Sequence, residues 1–391
     1  MSQHDSTAVA DVGRPHLRPP IERLSLGELG EPFEEVRSIA VLRGGGLGDF
    51  LFSLAAIESL AAAYPAARIT LLGTPLHAAL LQGRPGVIDE VEVLPVSRGV
   101  RDVPGSAEDE LETTRFLDRM RRRRFDLAVQ LHGGGRYSNP FLLRLGARHT
   151  VGTRTPDAAG LERDLPYVYY QHEMLRALEV VGLAGAAPVR LEPRIHVTHE
   201  ERTAAARHID AEAPLVLLHP GATDPRRRWP NANFAEVAGR LAGEGAQVVV
   251  IGDETDAASA REIVELAASS RVSSLAGELP LGEAAGLMSL ADVLVGNDSG
   301  PRHLAQAVGT STVGIYWFPN LINAGPLGRA DHRPHVAWTM ACPTCGRDVT
   351  QVGWTAERCE HDDSFVADVA PEPVAADAAD LMARSLLRRG R

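Results

Sequence analysis

Short apolar runs typical of buried strands alternate with helical segments, and this alternation occurs twice along the chain. The first series begins with the run at 38–43, and the second begins at 215–218. Between them lies a looser stretch, 182–214, which is rich in Ala, Pro and charged residues. Strands that alternate with helices form βαβ units and parallel sheets. The sequence therefore predicts an α/β fold with two Rossmann-like domains, whose ligands bind beyond the carboxyl ends of the strands.

The predicted elements set the expected domain boundaries. Strands are predicted at 38–43, 68–72, 91–94, 126–131, 215–218, 247–251, 293–295 and 312–316. Helices are predicted at 50–64, 167–181, 233–244, 256–268, 281–290, 302–308 and 374–387. The expected organisation is a flexible tail at 1–35, an N-terminal domain at 36–190, a linker at 191–213, a C-terminal domain at 214–370 and a C-terminal helix at 371–391.

Composition excludes several classes of protein. The chain has 391 residues, of which 44% are hydrophobic, so it is long enough for two domains with large cores. Three cysteines are too few for a disulfide scaffold, and a formal net charge of −11 disfavours non-specific binding of nucleic acid. No apolar stretch approaches the ~20 residues of a membrane span, and the first residues lack the pattern of a signal peptide. We therefore expect a cytoplasmic protein with no nucleic-acid partner.

A glycine-rich turn, RGGGLGD at 43–49, joins the first strand to a helix. Glycines allow the backbone to approach a ligand closely, and a helix start presents free N–H groups to an anion. Asp49 takes the last glycine position of a dinucleotide fingerprint and would repel a pyrophosphate, and Gly73 stands where such sites carry an acid. NAD binding is therefore disfavoured. Asp49 is either a helix cap or a general base in the cleft between the domains.

Two loops of the second domain carry groups suited to phosphates. The loop after His219 contains three consecutive arginines at 226–228, which form either a solvated charge run or a phosphate-binding cluster. The segment GNDSGPRH at 296–303 links a buried strand to a helix, which Asp298 or Ser299 caps. The N–H groups of that helix start face the cleft. His303 is either structural or a donor to a phosphate.

Two other loops end strands on the same side. Glu254 follows the strand at 247–251 and either binds ribose hydroxyls or caps the next helix. The segment HGGGR at 132–136 follows the strand at 126–131, and its His132 and Arg136 either contact a sugar or acceptor or belong to a simple glycine-rich turn.

A basic cluster precedes that strand, and it consists of Arg119 and the four arginines at 121–124. A solvated helix end is the simpler interpretation. The alternative is contact with an anionic acceptor or with a membrane surface.

Three cysteines and a histidine lie close together near the end of the chain. Cys342 and Cys345 open a pattern like that of a zinc site. The second pair, Cys359 and His361, is C-x-H, which is not a standard ligand spacing. We therefore expect reduced thiols and no metal.

The chain resembles glycosyltransferase family 9, the heptosyltransferase-like family of two-domain GT-B enzymes. The resemblance extends from about residue 37 to residue 360. It is carried by Leu42-Arg43 with Gly48-Asp49, by Tyr64-Pro65, by His219-Pro220-Gly221-Ala222 leading to Arg228-Trp229-Pro230, and by Asn297-Asp298-Ser299-Gly300-Pro301 with His303. The Asp-Ser-Gly-Pro-x-His segment together with the Gly-Asp element makes the resemblance specific.

The resemblance implies an inverting transfer of a sugar from a nucleotide diphosphate, typically ADP-heptose, without a metal or other cofactor. The acceptor would be a hydroxyl of a glycan or glycolipid such as a lipopolysaccharide core. The N-terminal domain would face the acceptor, the C-terminal domain would bind the nucleotide sugar, and the C-terminal helix would pack back on the N-terminal domain. The implied location is the cytoplasm, with contact at the inner face of the membrane.

The resemblance also implies roles for single residues. Asp49 falls on the family's general base, and Arg227 falls on a lysine that holds the donor phosphates; the chain itself contains no lysine. The implied donor-binding residues are Gly48, Thr223, Arg227, Glu254, Leu279, Asp298, Ser299, Gly300 and His303. Two alternatives stay open, namely a non-catalytic protein that binds nucleotide sugars and a GT-B-like sugar-nucleotide epimerase.

Overall fold

The computed structural model describes residues 26–350 and 357–389, so most of the tail predicted at 1–35 lies outside the described residues. Part of the predicted tail, residues 26–35, packs on the first domain through Phe33. Phe33 is buried, its ring stacks on His149 with centroids 4.1 Å apart, and its N–H donates to the Tyr64 hydroxyl at 3.0 Å. Burial of this aromatic side chain stabilises the segment against the first domain.

The first half of the chain forms a six-stranded parallel sheet with flanking helices. Its strands are β1 (Ser38–Leu42), β2 (Arg68–Gly73), β3 (Glu90–Val93), β4 (Leu127–Gln130), β5 (His149–Arg154) and β6 (Arg163–Pro166). Its helices are α1 (Leu47–Ala63), α2 (Pro75–Leu81), α3 (Glu110–Arg122), α4 (Ser138–Leu143) and α5 (Glu173–Gly182). The strand order is β3-β2-β1-β4-β5-β6, which is the order of a Rossmann sheet.

The second half repeats this plan. Its strands are β7 (Leu215–His219), β8 (Gln247–Val250), β9 (Val272–Ser274), β10 (Val293–Asn297), β11 (Ser311–Trp317) and β12 (His332–Ala337). Its helices are α6 (His199–Ala205), α7 (Asn231–Gly243), α8 (Ala257–Ala267), α9 (Leu281–Leu290), α10 (Gly300–Val308), α11 (Phe318–Ala324) and α12 (Pro371–Arg388). Short 3-10 turns lie at Ala206–His208, Pro225–Arg227 and Glu254–Asp256. The order β12-β11-β10-β7-β8-β9 has the same connectivity as the first sheet.

The central strands are buried because each sheet is covered by helices on both faces. All residues of β7 and β10 are buried, and in β1 only Ser38 is partly exposed. β1 lies between β2 and β4, and β10 lies between β7 and β11, with parallel pairing throughout. The loops that follow β1, β4, β7 and β10 therefore emerge at the carboxyl edges of the sheets. These two all-parallel sheets confirm the predicted α/β fold.

The two halves meet along α1 and α10, which pack against each other. The predicted linker contains α6, and this helix packs on α9 of the second half. Apolar side chains of both halves contribute to one buried cluster, with Leu51 and Leu54 of α1 and Leu304 of α10 among its members. Among the described residues, no helix combines the length and the apolar composition that a membrane span requires.

The C-terminal helix packs on a different partner from the one that the resemblance implied. α12 contacts α7, β10 and β11, all of which belong to the second half. Its apolar face, with Val374, Ala378 and Leu381, is buried in the core of that half. The prediction that it packs back on the N-terminal domain is therefore corrected. The amphipathic pattern of α12 showed that one face is buried, but it did not specify the surface that covers that face.

Candidate active site

Two glycine-containing helix starts face each other between the domains. They are the start of α1 after β1 and the start of α10 after β10. A Cβ atom added to Gly48 would lie 3.1 Å from Cδ2 of His303, and one added to Gly300 would lie 3.0 Å from Cβ of Leu47. Only glycine permits this approach without displacing a neighbour. Both helix starts concentrate partial positive charge in the cleft, which favours an anionic ligand there.

Asp49 lies at the third position of α1 and makes two strong contacts. Its Oδ2 accepts the Gly46 N–H at 2.9 Å, and its Oδ1 lies 3.0 Å from a guanidinium nitrogen of Arg43. Half of the side chain remains exposed. Gly46 is the N-cap residue of α1, and Asp49 satisfies the N–H of that cap. Asp49 therefore stabilises the helix start and still offers an exposed carboxylate at the cleft, so neither of its two sequence interpretations excludes the other.

The buried guanidinium of Arg43 contacts both the carboxylate and the backbone carbonyl of Asp49. The Arg43 side chain is 5% exposed, its Nε donates to the Asp49 carbonyl at 2.8 Å, and a second nitrogen donates to the carbonyl of Leu131. Glu173, at the start of α5, lies 4.0 Å from the same guanidinium. Charge-assisted bonds of this kind fix both direction and distance. Glu173 could not be identified from the sequence, because 130 residues of chain separate it from Arg43.

Two histidines flank Asp49. His132, which was predicted to contact a sugar or acceptor, lies beside Gly44 and near Arg43 and Asp49. His77, which sequence reasoning missed, donates from Nε2 to the Gly46 carbonyl at 3.2 Å. Burial, and after it the positive charge of Arg43, lowers the pKa of His132 to about 4, and burial lowers that of His77 to about 4 as well. Both rings are therefore neutral near pH 7.

Arg136 is not part of this group. It is exposed and lies 3.5 Å from the carboxylate of Asp157. The glycine-rich loop at 132–136 thus places its first residue beside Asp49 and directs its last residue to a surface ion pair.

Across the cleft, Asp298 forms a buried network with Arg227 and His303. One Asp298 oxygen lies 3.2 Å from a guanidinium nitrogen of Arg227, and the other lies 3.0 Å from Nε2 of His303. Burial alone would raise the pKa of Asp298, but the bond from His303 and the charges of Arg227 and Arg302 lower it below its ordinary value. Asp298 is therefore a carboxylate that positions its neighbours.

Both ring nitrogens of His303 are engaged. The Arg302 guanidinium, which can only donate, bonds Nδ1, so Nε2 carries the proton that is donated to Asp298. Burial, reinforced by Arg302, lowers the pKa of His303 to about 4, in agreement with a neutral ring. A direct contact between His303 and a donor phosphate would require one of these bonds to break. In this structure His303 supports Asp298 and lies against α1.

Of the three consecutive arginines, only Arg227 is directed at this network. Arg226 is buried and paired with Asp224, and Arg228 donates to the Ala222 carbonyl at 2.9 Å. Arg227 keeps 24% of its side chain exposed and uses one nitrogen on Asp298. A guanidinium has five N–H donors, so further donors remain for an anionic ligand.

Ser299 is the N-cap residue of α10, but its side chain makes no capping bond. Its hydroxyl lies 3.1 Å from Nδ1 of His219, whose Nε2 lies 3.6 Å from Asp256. Burial lowers the pKa of His219 to about 4, while burial and the nearby Asp253 raise the pKa of Asp256. The prediction that Ser299 or Asp298 caps α10 is therefore wrong. The Ser299 hydroxyl bonds His219, and the Asp298 carboxylate bonds Arg227 and His303.

The other predicted donor residues lie at the edge formed by the ends of β7, β8 and β9. Glu254 and Thr223 are exposed, and Leu279 is partly buried. A Cβ atom added to Gly277 would lie 3.2 Å from Cα of Glu254, which brings Glu254 close to the segment that leads to Leu279. This edge therefore offers one carboxylate, one hydroxyl and one apolar side chain.

The basic cluster near α3 forms ion pairs on its own surface. Arg119 pairs with Glu92 at 3.3 Å, Arg121 with Asp118 at 3.2 Å, and Arg123 with Glu92 at 2.9 Å. These pairs favour the interpretation as a solvated helix end over a site for an anionic acceptor or membrane.

Comparisons with known proteins relate the chain to heptosyltransferases. A model of glycosyltransferase family 9 (heptosyltransferase) matches residues 113–344. The chain is 27% identical to lipopolysaccharide heptosyltransferase 2 of Escherichia coli K12 over 295 residues, which cover 71% of this chain and 82% of that protein.

Solved structures share the fold. E. coli ADP-heptose lps heptosyltransferase II has a TM-score of 0.68 at 22% identity, covering 89% of this chain and 99% of that one. A family 9 glycosyl transferase from Veillonella parvula DSM 2008 has a TM-score of 0.71 at 20% identity, covering 92% and 99%. The two domains thus have the GT-B arrangement. On the strength of the family match over more than half of its length, this chain is a glycosyltransferase and belongs to family 9, the heptosyltransferase family.

Proposed function

We propose that this enzyme transfers heptose from ADP-heptose to a hydroxyl of a lipopolysaccharide-core-like glycan, with inversion at the anomeric carbon. The names of its relatives support the donor and the acceptor, since they include lipopolysaccharide heptosyltransferase 2 and an ADP-heptose lps heptosyltransferase. The observation that carries the proposal is the position of Asp49 opposite the Arg227–Asp298–His303 network. A carboxylate and an anion site face one another across one cleft.

The C-terminal domain, 214–370, is proposed to bind the donor. The uncapped N–H groups at the start of α10 and the remaining donors of Arg227 suit the diphosphate. Glu254 suits the ribose hydroxyls, Leu279 offers an apolar surface for the base, and Thr223 offers a hydroxyl for the phosphates. Asp298 and His303 act by holding Arg227 and the helix start in place.

The N-terminal domain, 36–190, is proposed to present the acceptor, with His132 beside Asp49 as a contact for its sugar. The acceptor hydroxyl attacks the anomeric carbon from the face opposite the diphosphate. Its proton passes to the Asp49 carboxylate, the bond from the anomeric carbon to the diphosphate oxygen breaks, and ADP leaves with the bonding electrons. Arg227 and the α10 start stabilise the charge that grows on the leaving group.

Asp49 is proposed to take its proton late in this step. The Arg43 ion pair and the α1 start both stabilise its negative charge. A carboxylate in that setting takes a proton readily only once the attacking hydroxyl has become acidic through bond formation. Water exclusion by closure of the two domains would strengthen these electrostatic effects. A glycolipid acceptor would place the reaction at the inner face of the membrane.

The test replaces Asp49 with Asn, which keeps an oxygen that can accept the Gly46 N–H. We expect loss of heptose transfer, measured by mass spectrometry of the acceptor, with ADP affinity retained. Asp118→Asn, an exposed carboxylate on α3, serves as the matched control and should keep full transfer. Full activity of Asp49→Asn would refute the assignment of the base.

Thermal-shift measurements and chromatography of the sugar nucleotide separate the two alternatives. A non-catalytic binding protein would show a thermal shift with ADP-heptose and no product. An epimerase would alter the sugar nucleotide without an acceptor and without a change in its mass. A thermal-shift comparison of ADP-, GDP-, UDP- and dTDP-sugars identifies the base, because a ligand that binds the folded state raises its stability.

A further inference from the structure

A group of soft ligand atoms lies outside the cleft, in the segment that follows β12. The sulfur atoms of Cys342, Cys345 and Cys359 and a ring nitrogen of His361 all lie within 4.8 Å of one another. Cys342 Sγ lies 3.7 Å from Nδ1 of His361. The spacing of the second pair, C-x-H, led us to expect free thiols, but the folded chain brings all four groups to one point.

The backbone around the first two cysteines forms a tight turn. The Cys342 N–H donates to the Arg347 carbonyl at 2.8 Å, and the Gly346 N–H donates back to the Cys342 carbonyl at 2.9 Å. Gly346 has a φ of +69°, which only glycine adopts without strain. This turn brings the sulfurs of Cys342 and Cys345 close together.

The spacing between Cys342 and His361 suits a tetrahedral ion, and the other two ligand atoms lie within 4.8 Å of this pair. Zinc–sulfur bonds of about 2.3 Å and zinc–nitrogen bonds of about 2.0 Å place tetrahedral ligand atoms about 3.5 to 3.8 Å apart. The 3.7 Å between Cys342 and His361 falls in that range. Three thiolates and one imidazole form a common set of ligands for structural zinc. We propose that Cys342, Cys345, Cys359 and His361 bind one zinc ion.

Such an ion would join two chain segments, and one of them contacts the loop that carries the three arginines at 226–228. Cys342 and Cys359 are buried in the core of the second domain, next to Val349 and Phe365. The Thr344 hydroxyl donates to Asp363 at 2.7 Å, which ties the same two segments together a second time. The zinc site therefore fixes residues 359–366 on the turn at 342–347.

Residues 364 and 365 in turn hold the backbone on either side of Arg227. The Phe365 N–H donates to the Arg226 carbonyl at 2.7 Å, and the Ser364 hydroxyl donates to the Arg228 carbonyl at 2.6 Å. The Arg226 guanidinium also lies over the Phe365 ring, 5.3 Å from its centroid. The ion thus acts as a structural clamp for the loop that presents Arg227. The zinc assignment itself is independent of the proposed donor; only this positioning effect rests on the proposed function.

The test measures metal in the full chain, purified without a histidine tag from medium that supplies both zinc and iron. Elemental analysis by mass spectrometry should give about one zinc ion per chain. Cys345→Ser and His361→Ala should each lose the zinc, and these two were chosen because neither residue is fully buried. His199→Ala, which removes an exposed histidine on α6, is the matched control and should keep it.

Each other outcome overturns a stated part of the proposal. Wild-type protein without metal, or with a Cys342–Cys345 disulfide in its intact mass, would refute the site. Iron in place of zinc would refute the choice of metal. Zinc retained in both ligand variants would refute the ligand set. The first two of these readouts need only the wild-type protein, so they decide the proposal even if a ligand variant fails to fold.

The effect of zinc on the position of Arg227 is tested separately, by measuring ADP affinity. Removal of zinc by a chelator should weaken ADP binding in calorimetry, and returning zinc should restore it. Equal ADP affinity with and without zinc would refute the clamp while leaving the site intact. Failure of the zinc-loaded enzyme to bind ADP at all would count against the proposed function and not against zinc.

Discussion

Gly48 of α1 lies directly against the ring of His303 in α10, where a Cβ atom on Gly48 would approach Cδ2 of that ring to 3.1 Å. The ring cannot turn aside easily, because Arg302 and Asp298 hold its two nitrogens. This contact links the helix start that carries Asp49 to the network that holds Arg227. The contact between Gly48 and His303 therefore sets the spacing between the two domains at the proposed site of sugar transfer.

Gly48→Ala should reduce heptose transfer by about tenfold, since small displacements of reacting groups are costly. The free energy of unfolding should change by no more than about 1 kcal/mol, because alanine favours a helix and offsets the tight contact. Steady-state transfer assays and urea unfolding measure both quantities.

Gly239→Ala in α7 is the control, since its Cβ atom would lie 3.7 Å from the nearest atom outside its own helix, the Ala267 carbonyl oxygen. We expect unchanged transfer and equal or higher stability. If Gly48→Ala transferred heptose as fast as wild type, the fixed spacing would have no role in catalysis.

Arg227→Lys tests whether the guanidinium geometry matters for the donor. Lysine keeps the charge but loses the planar fork, so we expect weaker ADP binding by a few-fold. Arg227→Gln loses the charge as well, which should weaken binding by about ten- to a hundredfold, the value of one charge-assisted bond. Calorimetry with ADP measures the difference.

Arg240→Gln provides the comparison for loss of charge, because Arg240 pairs with Glu236 on the surface of α7. Its ADP affinity should equal that of wild type. Equal affinities for Arg227→Gln and Arg240→Gln would remove Arg227 from the donor site.

The central parts of the fold could be predicted from the sequence, because buried parallel strands are continuous apolar runs. The runs at 38–43 and 215–218 correspond to β1 and β7. Two of the edge strands, β6 and β12, carried no such signal. β6, with the sequence RDLP, and β12, with HRPHVA, are partly exposed and contain proline and charge, which is tolerated only at an edge.

The candidate site was predictable only where its residues lie in one short segment. Asp49 and Asp298 stand in glycine-containing turns that mark helix starts, so their positions could be read from the chain. His77 and Glu173 reach the same cleft from α2 and α5, and isolated side chains on helices carry no local pattern. The partners of His303 likewise became evident only once the fold placed Asp298 and Arg302 around its ring.

Glu254→Gln tests the proposed contact with ribose. A carboxylate accepts hydroxyl bonds more strongly than an amide does, so ADP affinity should fall by about five- to tenfold. Affinity for 2′,3′-dideoxy-ADP should be weak already and should not change. Glu265→Gln, an exposed residue on α8, should leave both affinities unchanged. A loss of the same size for both nucleotides would mean that Glu254 does not bind ribose.

The buried His219 predicts a pH dependence of stability. Burial lowers its pKa to about 4 in the folded protein, whereas an unfolded histidine titrates near pH 6.5, so between these values the unfolded chain binds a proton that the folded chain excludes. Stability is therefore lost as the pH falls through this window, by about 2 kcal/mol for one such group at pH 5. Urea unfolding at pH 7 and pH 5 measures the loss.

His219→Asn keeps an acceptor near Ser299 and removes the titrating ring, so the drop in the free energy of unfolding from pH 7 to pH 5 should shrink by about 2 kcal/mol. His199→Asn removes an exposed histidine and should leave the drop unchanged. His303 is also buried with its pKa lowered to about 4, so part of the wild-type drop should persist in the variant. Identical drops in wild type and His219→Asn would mean that His219 is not held neutral by burial, and the bond between its ring and Ser299 would then need a different protonation state.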